Sequence, residues 1–184
     1  MTASDHSQAY RPVAIALHWL VAALILSTIP VGIVMLDESL SRPVQDMLFV
    51  YHKNVGIVIF VLVVARIVYR IFHRPPPLPA SVPALQRHIA HFTHLALYGL
   101  VLVMTVSGFV YVRAGGFPIE GLDALGVPPM IPLNEELSKA AQRVHVTVRI
   151  PLVVLILAHV GAAAYHGLVK RDGVFTRMAP AFRR

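Results

Sequence analysis

Apolar residues in this chain gather in four long, nearly unbroken runs. Neither the alternation of a half-buried strand nor the narrow stripe of a surface helix is present. The runs cover about residues 13–36, 47–72, 89–112 and 144–169. A helix needs about 20 apolar residues to cross a bilayer, so each run is long enough. The first and third contain no Lys, Arg, Asp or Glu, while the second carries Lys53 near its start and Arg66 and Arg70 near its end. The fourth has Arg149 and Pro151 in its first two turns. A membrane helix absorbs such a proline because neighbouring groups serve the carbonyl it frees. The pattern predicts an all-α, transmembrane four-helix bundle, with residues 1–184 forming a single integral membrane domain. The first run is too long for the core of a signal peptide, and no small-residue cleavage site follows residues 30–36.

The connections set the orientation. Residues 74–79 read Arg-Pro-Pro-Pro-Leu-Pro, a stiff extended segment that must separate the second and third runs. The longest predicted loop, residues 113–143, is broken by Gly115-Gly116 and Pro128-Pro129 and carries Glu120, Asp123, Glu135 and Glu136. The loop of residues 37–46 adds Asp37, Glu38 and Asp46, so the acids collect on one side. The other side holds Arg11, Arg70, Arg74, Arg87, Lys170, Arg171, Arg177, Arg183 and Arg184. The positive-inside rule then puts both termini and the proline segment in the cytoplasm, with the acidic loops facing the periplasm or cell exterior.

Composition agrees and narrows the chemistry. Of 184 residues, 57% are hydrophobic and only 14% charged, against roughly 25% charged in soluble domains. The net charge of +7 would hint at nucleic acid in a soluble protein. Here the bases flank apolar runs, which is a topology signal, and no nucleic-acid partner is expected. Cysteine is absent, which excludes disulfides, thiolate metal sites and covalently attached haem. Ten histidines remain, an excess that needs a reason because imidazole is costly to place in hydrocarbon.

Orientation gives each histidine a depth. His18 lies about one and a half turns into the first run from the cytoplasmic side. His52 lies at a similar depth in the second run, but from the opposite side. In the fourth run His145 is near the outer entrance and His159 follows two heptads later, about 21 Å along the axis and on nearly the same face. His166 comes one heptad after that. Two pairs result, His52 with His145 and His18 with His159, each drawn from two different helices. Axial ligation of an iron porphyrin needs one neutral imidazole on each face of the ring, which such pairs supply. The competing readings are histidines that only bridge helices by hydrogen bonds, and zinc. A zinc site gathers its four ligands at one depth, whereas these lie in two layers.

Other residues admit two readings each. Arg66 lies deep in the second run, where it would meet a haem propionate or else reach back to the headgroups. Gly56, Gly99, Gly108 and Gly161 allow close approach, either of a flat macrocycle or of a neighbouring helix. Trp19 beside His18 reads as a porphyrin contact or an interfacial anchor. His91, His94 and His166 are left at the cytoplasmic boundary. There His94 and His166 would bond quinone carbonyls or relay protons, or would simply be solvated. His6, His73 and His88 fall in tail and loop and read as solvated.

Segments spread along the chain resemble the bacterial cytochrome b561 family. They are Ala16-Leu17-His18-Trp19-Leu20, Tyr51-His52-Lys53-Asn54-Val55-Gly56, Val64-Ala65-Arg66, Ala90-His91-Phe92-Thr93-His94 with Leu97-Tyr98, and His145 with Leu157-Ala158-His159. The similarity runs from about Tyr10 to Pro180 and includes Lys170-Arg171-Asp172-Gly173 and Met178-Ala179-Pro180. It implies a four-helix bundle in the bacterial inner membrane enclosing two b-type haems. His18 and His159 would be axial ligands of the cytoplasmic-side haem iron, and His52 and His145 of the periplasmic-side one. It further implies a superoxide oxidase-like enzyme, a superoxide:quinone oxidoreductase, that takes electrons from superoxide outside and reduces ubiquinone in the membrane. His94 and His166 would then lie near the quinone. One position departs: family members often carry Trp just before the ligand that opens the last span, where this chain has Val144. For the anionic donor, Lys53, Arg113, Lys139, Arg143 and Arg149 are the candidate steering bases. The alternative is a haem-bearing anchor that passes electrons from a soluble dehydrogenase or hydrogenase partner to quinone. The third is a haem-free bundle.

Overall fold

Two of the four apolar runs lie inside helices longer than themselves, and the fourth is covered once the helical turn that follows the last long helix is counted. The structure, a computed structural model, describes residues 10–79 and 81–179. His6, Pro180, Arg183 and Arg184 lie outside the described residues. Helix α1 is Pro12–Val34, α2 is Arg42–Phe72 and α3 is Ala84–Ala114. A short helix α4, Glu120–Ala124, precedes α5, Glu135–Ala164. Among the described residues there is no strand, and α1, α2, α3 and α5 are the four helices long and apolar enough to cross a membrane.

Local chemistry explains these bounds. Pro12 and Pro43 stand in the first turns of α1 and α2, where their missing N–H costs nothing. Asn134 caps α5 by accepting a 2.9 Å hydrogen bond from the Leu137 N–H, and Glu135 and Glu136 oppose the helix dipole. So α5 starts nine residues before the apolar run, inside the stretch expected to be loop. It passes through Pro151 unbroken. The proline segment after α2 forms neither helix nor strand.

The ends of the bundle are tied down. After α5 the chain forms a π-helical turn, Tyr165–Lys170, reverses at Arg171 (φ 51°) and Gly173 (φ 82°), and makes a short 3-10 turn, Phe175–Arg177. The Trp19 indole N–H donates to the Met178 carbonyl at 2.8 Å, and the buried Arg177 donates to the Pro77 carbonyl at 2.8 Å. Trp19 therefore anchors the C-terminal tail to α1. At the opposite end Asp37 accepts from the Ser39 N–H at 2.9 Å. The Ser39 side chain first, and this N–H second, hold the Asp37 carboxyl below the usual carboxylate range by hydrogen bonding.

Packing divides the bundle. Helix α5 lies along α3, α1 lies along α2, and α2 joins the two pairs through α3; no packing of similar extent brings α5 against α1 or α2. One small core, built on Val21, Ile59, Val63, Val101 and Leu152, draws on all four long helices. Outward-facing apolar side chains such as Leu26, Val61, Val103 and Leu157 stay exposed, the last at 65%. Water would penalise such a girdle, and lipid does not. The protein is a multi-pass membrane protein.

Candidate functional site

Four histidines cross the divide between α5 and the α1–α2 pair. The His52 and His145 ring centroids are 6.2 Å apart with planes at 82°, and those of His18 and His159 are 6.2 Å apart at 78°. Leu152 of the small core falls midway between His145 and His159 along α5, so apolar side chains separate two imidazole layers. Depth arithmetic along the sequence paired the same residues.

The two layers are supported differently. His145 Nδ1–H donates to the Met104 carbonyl at 2.8 Å, with the Ser107 hydroxyl 3.5 Å from the same nitrogen. A carbonyl only accepts, so Nδ1 carries the proton and Nε2 keeps its lone pair. His52 is approached by the backbone of Thr28, but its buried Nδ1 completes no hydrogen bond of good geometry. Two glycines fit against these rings. A Cβ on Gly32 would lie 2.8 Å from His52 Cε1, and one on Gly108 would lie 3.0 Å from His145 Cε1. Gly108 was legible as a close-approach residue. Gly32 was missed, although a small residue in the outer third of α1 is the only signal it offers.

In the layer nearer the chain termini, His18 Nδ1 is buried without a hydrogen-bond partner among the described residues. Here a third imidazole joins. The His94 ring sits 5.3 Å from that of His159, so His94 stands against the histidine pair instead of apart from it at the boundary. His166 goes elsewhere: its Nδ1 is 2.6 Å from Asp172 Oδ2, in the π-helical turn. Such turns often mark functional positions. No ring contact joins His94 to His166 among the described residues. His73, expected to be solvated, stacks on Tyr69 with centroids 4.1 Å apart. Arg66 lies over the Tyr98 ring, 5.4 Å from its centroid, and within electrostatic reach of His18 and His159.

At the far end α4 docks on α2 through polar contacts. Lys53 pairs with Glu120 at 2.6 Å and donates to the Pro118 carbonyl at 2.7 Å. Asn54 donates to Glu120 at 2.8 Å and accepts from the Gly121 N–H at 2.7 Å. Buried Arg113 pairs with Asp123 at 2.6 Å. Partial burial works against charge on Glu120, yet the hydrogen bonds from Lys53, its own backbone and Asn54 outweigh it and lower its pKa. The Arg113 hydrogen bond does the same for Asp123 against a smaller desolvation cost. Lys139 pairs with Glu135 at 2.6 Å. Three of the five expected steering bases are therefore matched by acids. Arg143 and Arg149 are exposed and form no ion pair among the described residues.

Comparison with known proteins decides the family. A profile for prokaryotic cytochrome b561 matches residues 9–181. The chain belongs to the prokaryotic cytochrome b561 family. The Escherichia coli K12 protein named cytochrome b561 homolog 2 is 28% identical over 179 residues, covering 97% of this chain and 95% of that one. Cytochrome b561 homolog 1 of the same organism is 29% identical over 129 residues, covering 70% and 73%. This cytochrome b561 is thus a membrane electron-transfer protein, and its family implies haem b.

The residues present fit that group. In each pair the imidazoles stand close enough for one metal to be held between them, and His18, His52, His145 and His159 would hold the haem irons. The tautomer of His145 leaves Nε2 for a metal. Gly56, one turn beyond His52 on the same face of α2, has no atom within 4 Å of where a Cβ would stand, so a flat ring would meet no side chain there. Among the described residues no group of three or more His, Asp or Glu is arranged to hold a bare metal ion.

Proposed function

We propose that this cytochrome b561 holds two b-type haems, one between His52 and His145 and one between His18 and His159, and moves electrons from the α4 side to quinone near the chain termini. The observation that carries the reading is the pair of imidazole couples, each from two helices and each 6.2 Å apart. Bound haem supplies a reversible one-electron couple in each layer. The protein supplies the rest. Its imidazoles present neutral nitrogens, and the Met104 carbonyl fixes the tautomer of one of them. Val21, Ile59, Val63 and Leu152 keep water from the region between the layers. Arg66 offers a guanidinium to a propionate.

The electron donor in this proposal is superoxide and the acceptor ubiquinone. Two superoxide ions release one electron each and become two O₂; one quinone takes those two electrons and two protons and becomes quinol. Arg143 and Arg149, whose charges are not matched by acids, draw the anion inward. His94 and His166 face the quinone end. Asp172, 2.6 Å from His166 Nδ1, orients that imidazole and leaves its other ring nitrogen for the quinone oxygen. The excess of bases near both termini supports an inner-membrane protein with cytoplasmic ends.

Stopped-flow mixing of oxidised, haem-loaded protein with superoxide tests the donor. Haem reduction should outrun the uncatalysed loss of superoxide, and the double substitution R143Q/R149Q should slow it and weaken its salt dependence. Reduction no faster than background would remove superoxide as donor and favour an anchor that receives electrons from a soluble partner.

A further inference from the structure

Where α1 begins and α2 ends, a cavity of about 330 Å³ is lined by Arg11, Arg66, Arg70 and Arg74, and no Asp or Glu contributes to its wall. None of the four arginines forms an ion pair among the described residues. Arg66 and Arg70 both lie over the Tyr98 ring, with guanidinium carbons 5.4 and 6.0 Å from its centroid. The ring attracts both cations and leaves their mutual repulsion in place. Four guanidinium groups around one cavity repel one another, and an oxyanion relieves that repulsion while using their forked donors.

We propose that this cavity binds a phosphate-bearing anion, and that its source is the headgroup of an anionic phospholipid. The depth of the site favours lipid. The last turn of α2 turns Tyr69, Arg70 and His73 to the cavity, while Ile71 and Phe72 are 68% and 77% exposed on its outer side. Arg70 and Arg74 therefore stand at the rim of the apolar girdle, where headgroup phosphates lie and basic pockets between membrane helices recruit them. The site does not depend on the electron-transfer reading. Even if Arg66 pairs with a propionate, Arg11, Arg70 and Arg74 remain.

Native mass spectrometry of the purified holoprotein tests this, with phosphatidylglycerol, phosphatidylethanolamine or inorganic phosphate added in turn. The wild type should retain phosphatidylglycerol over phosphatidylethanolamine, and R70Q/R74Q should weaken retention about 30-fold, as expected for two charges near the surface. R70K/R74K should fall between, because charge is kept and the fork is lost. Unchanged haem content and a monodisperse elution profile establish that each variant is folded. Arginine-dependent binding of inorganic phosphate alone would keep the anion site and make free phosphate its source. Equal retention of both lipids with no phosphate binding, or retention unchanged in R70Q/R74Q, would overturn the proposal. So would loss of haem from that variant with its lipid complement intact.

Discussion

The two histidine layers share one geometry and differ in almost everything around it. Near α4, the His52–His145 pair is braced by neutral contacts: glycine backbone against both rings and a carbonyl on His145 Nδ1. The charges above it on α4 are largely matched in ion pairs. Near the termini, the His18–His159 pair has a third imidazole at 5.3 Å and an arginine close by, while His18 Nδ1, like His52 Nδ1 in the other layer, has no hydrogen-bond partner among the described residues. Positive charge favours the electron-rich state of a redox centre, whereas a carbonyl accepting from a ligand imidazole favours the electron-poor one. On the proposed reading Arg66 and the Met104 carbonyl tilt the same way, and Arg149, within electrostatic reach of His145, works against them. The proposed direction, from the α4 layer to the layer near the termini, requires the contribution of Arg66 to exceed that of Arg149.

The sharpest way to break this comparison is to remove one layer at a time. His52→Ala should abolish the α4-side haem and leave the other, and His18→Ala should do the reverse. Optical spectra of the two variants should then show different bands. Identical residual spectra would mean the layers are not independent. Nearly as large an effect is expected from Gly32→Val, whose side chain must displace the His52 ring. It should selectively lose the α4-side haem, at an overpacking cost of about 1–3 kcal/mol. Leu157→Ala is the control, because Leu157 faces outward from the bundle and is 65% exposed. Loss of haem in the control and not in Gly32→Val would dissolve the asymmetry.

A smaller effect separates the electrostatics. Arg66→Gln should lower the midpoint potential of the termini-side component in a redox titration and leave the other in place. A shift in both, or in neither, would show that Arg66 does not distinguish the layers.

The mildest prediction concerns the cap. Glu120 and Asp123 have lowered folded-state pKa values, so the stability they lend α4 is present above the unfolded carboxylate pKa. It is lost as pH falls through the lower folded values. Amide exchange over residues 119–125, corrected for its intrinsic pH dependence, should accelerate only below the ordinary carboxylate range. Glu120→Gln should exchange faster at neutral pH and lose part of the pH response. An acceleration near neutrality would point to histidine instead.

The legible and illegible parts of the structure divide along physical lines. Spans were readable because hydrocarbon demands long apolar runs, and the histidine pairs because helix rise converts sequence spacing into depth. The start of α5 was also written in the chain, in Asn134, Glu135 and Glu136, but an apolar window hides a polar first turn. Rotation about a helix axis was not readable. It decides that His94 meets His159, and that Gly32 faces His52 from another helix. Nor could the matching of Lys53 and Arg113 be read, because their partners arrive only when α4 folds back onto α2.

Haem stoichiometry tests the central claim most directly. Haem extracted from the purified wild-type protein, divided by protein measured by amino-acid analysis, should give two b-type haems per chain, and His159→Ala should give one. A wild-type ratio of one, or none in haem-replete cells, would contradict a bundle built around two imidazole pairs.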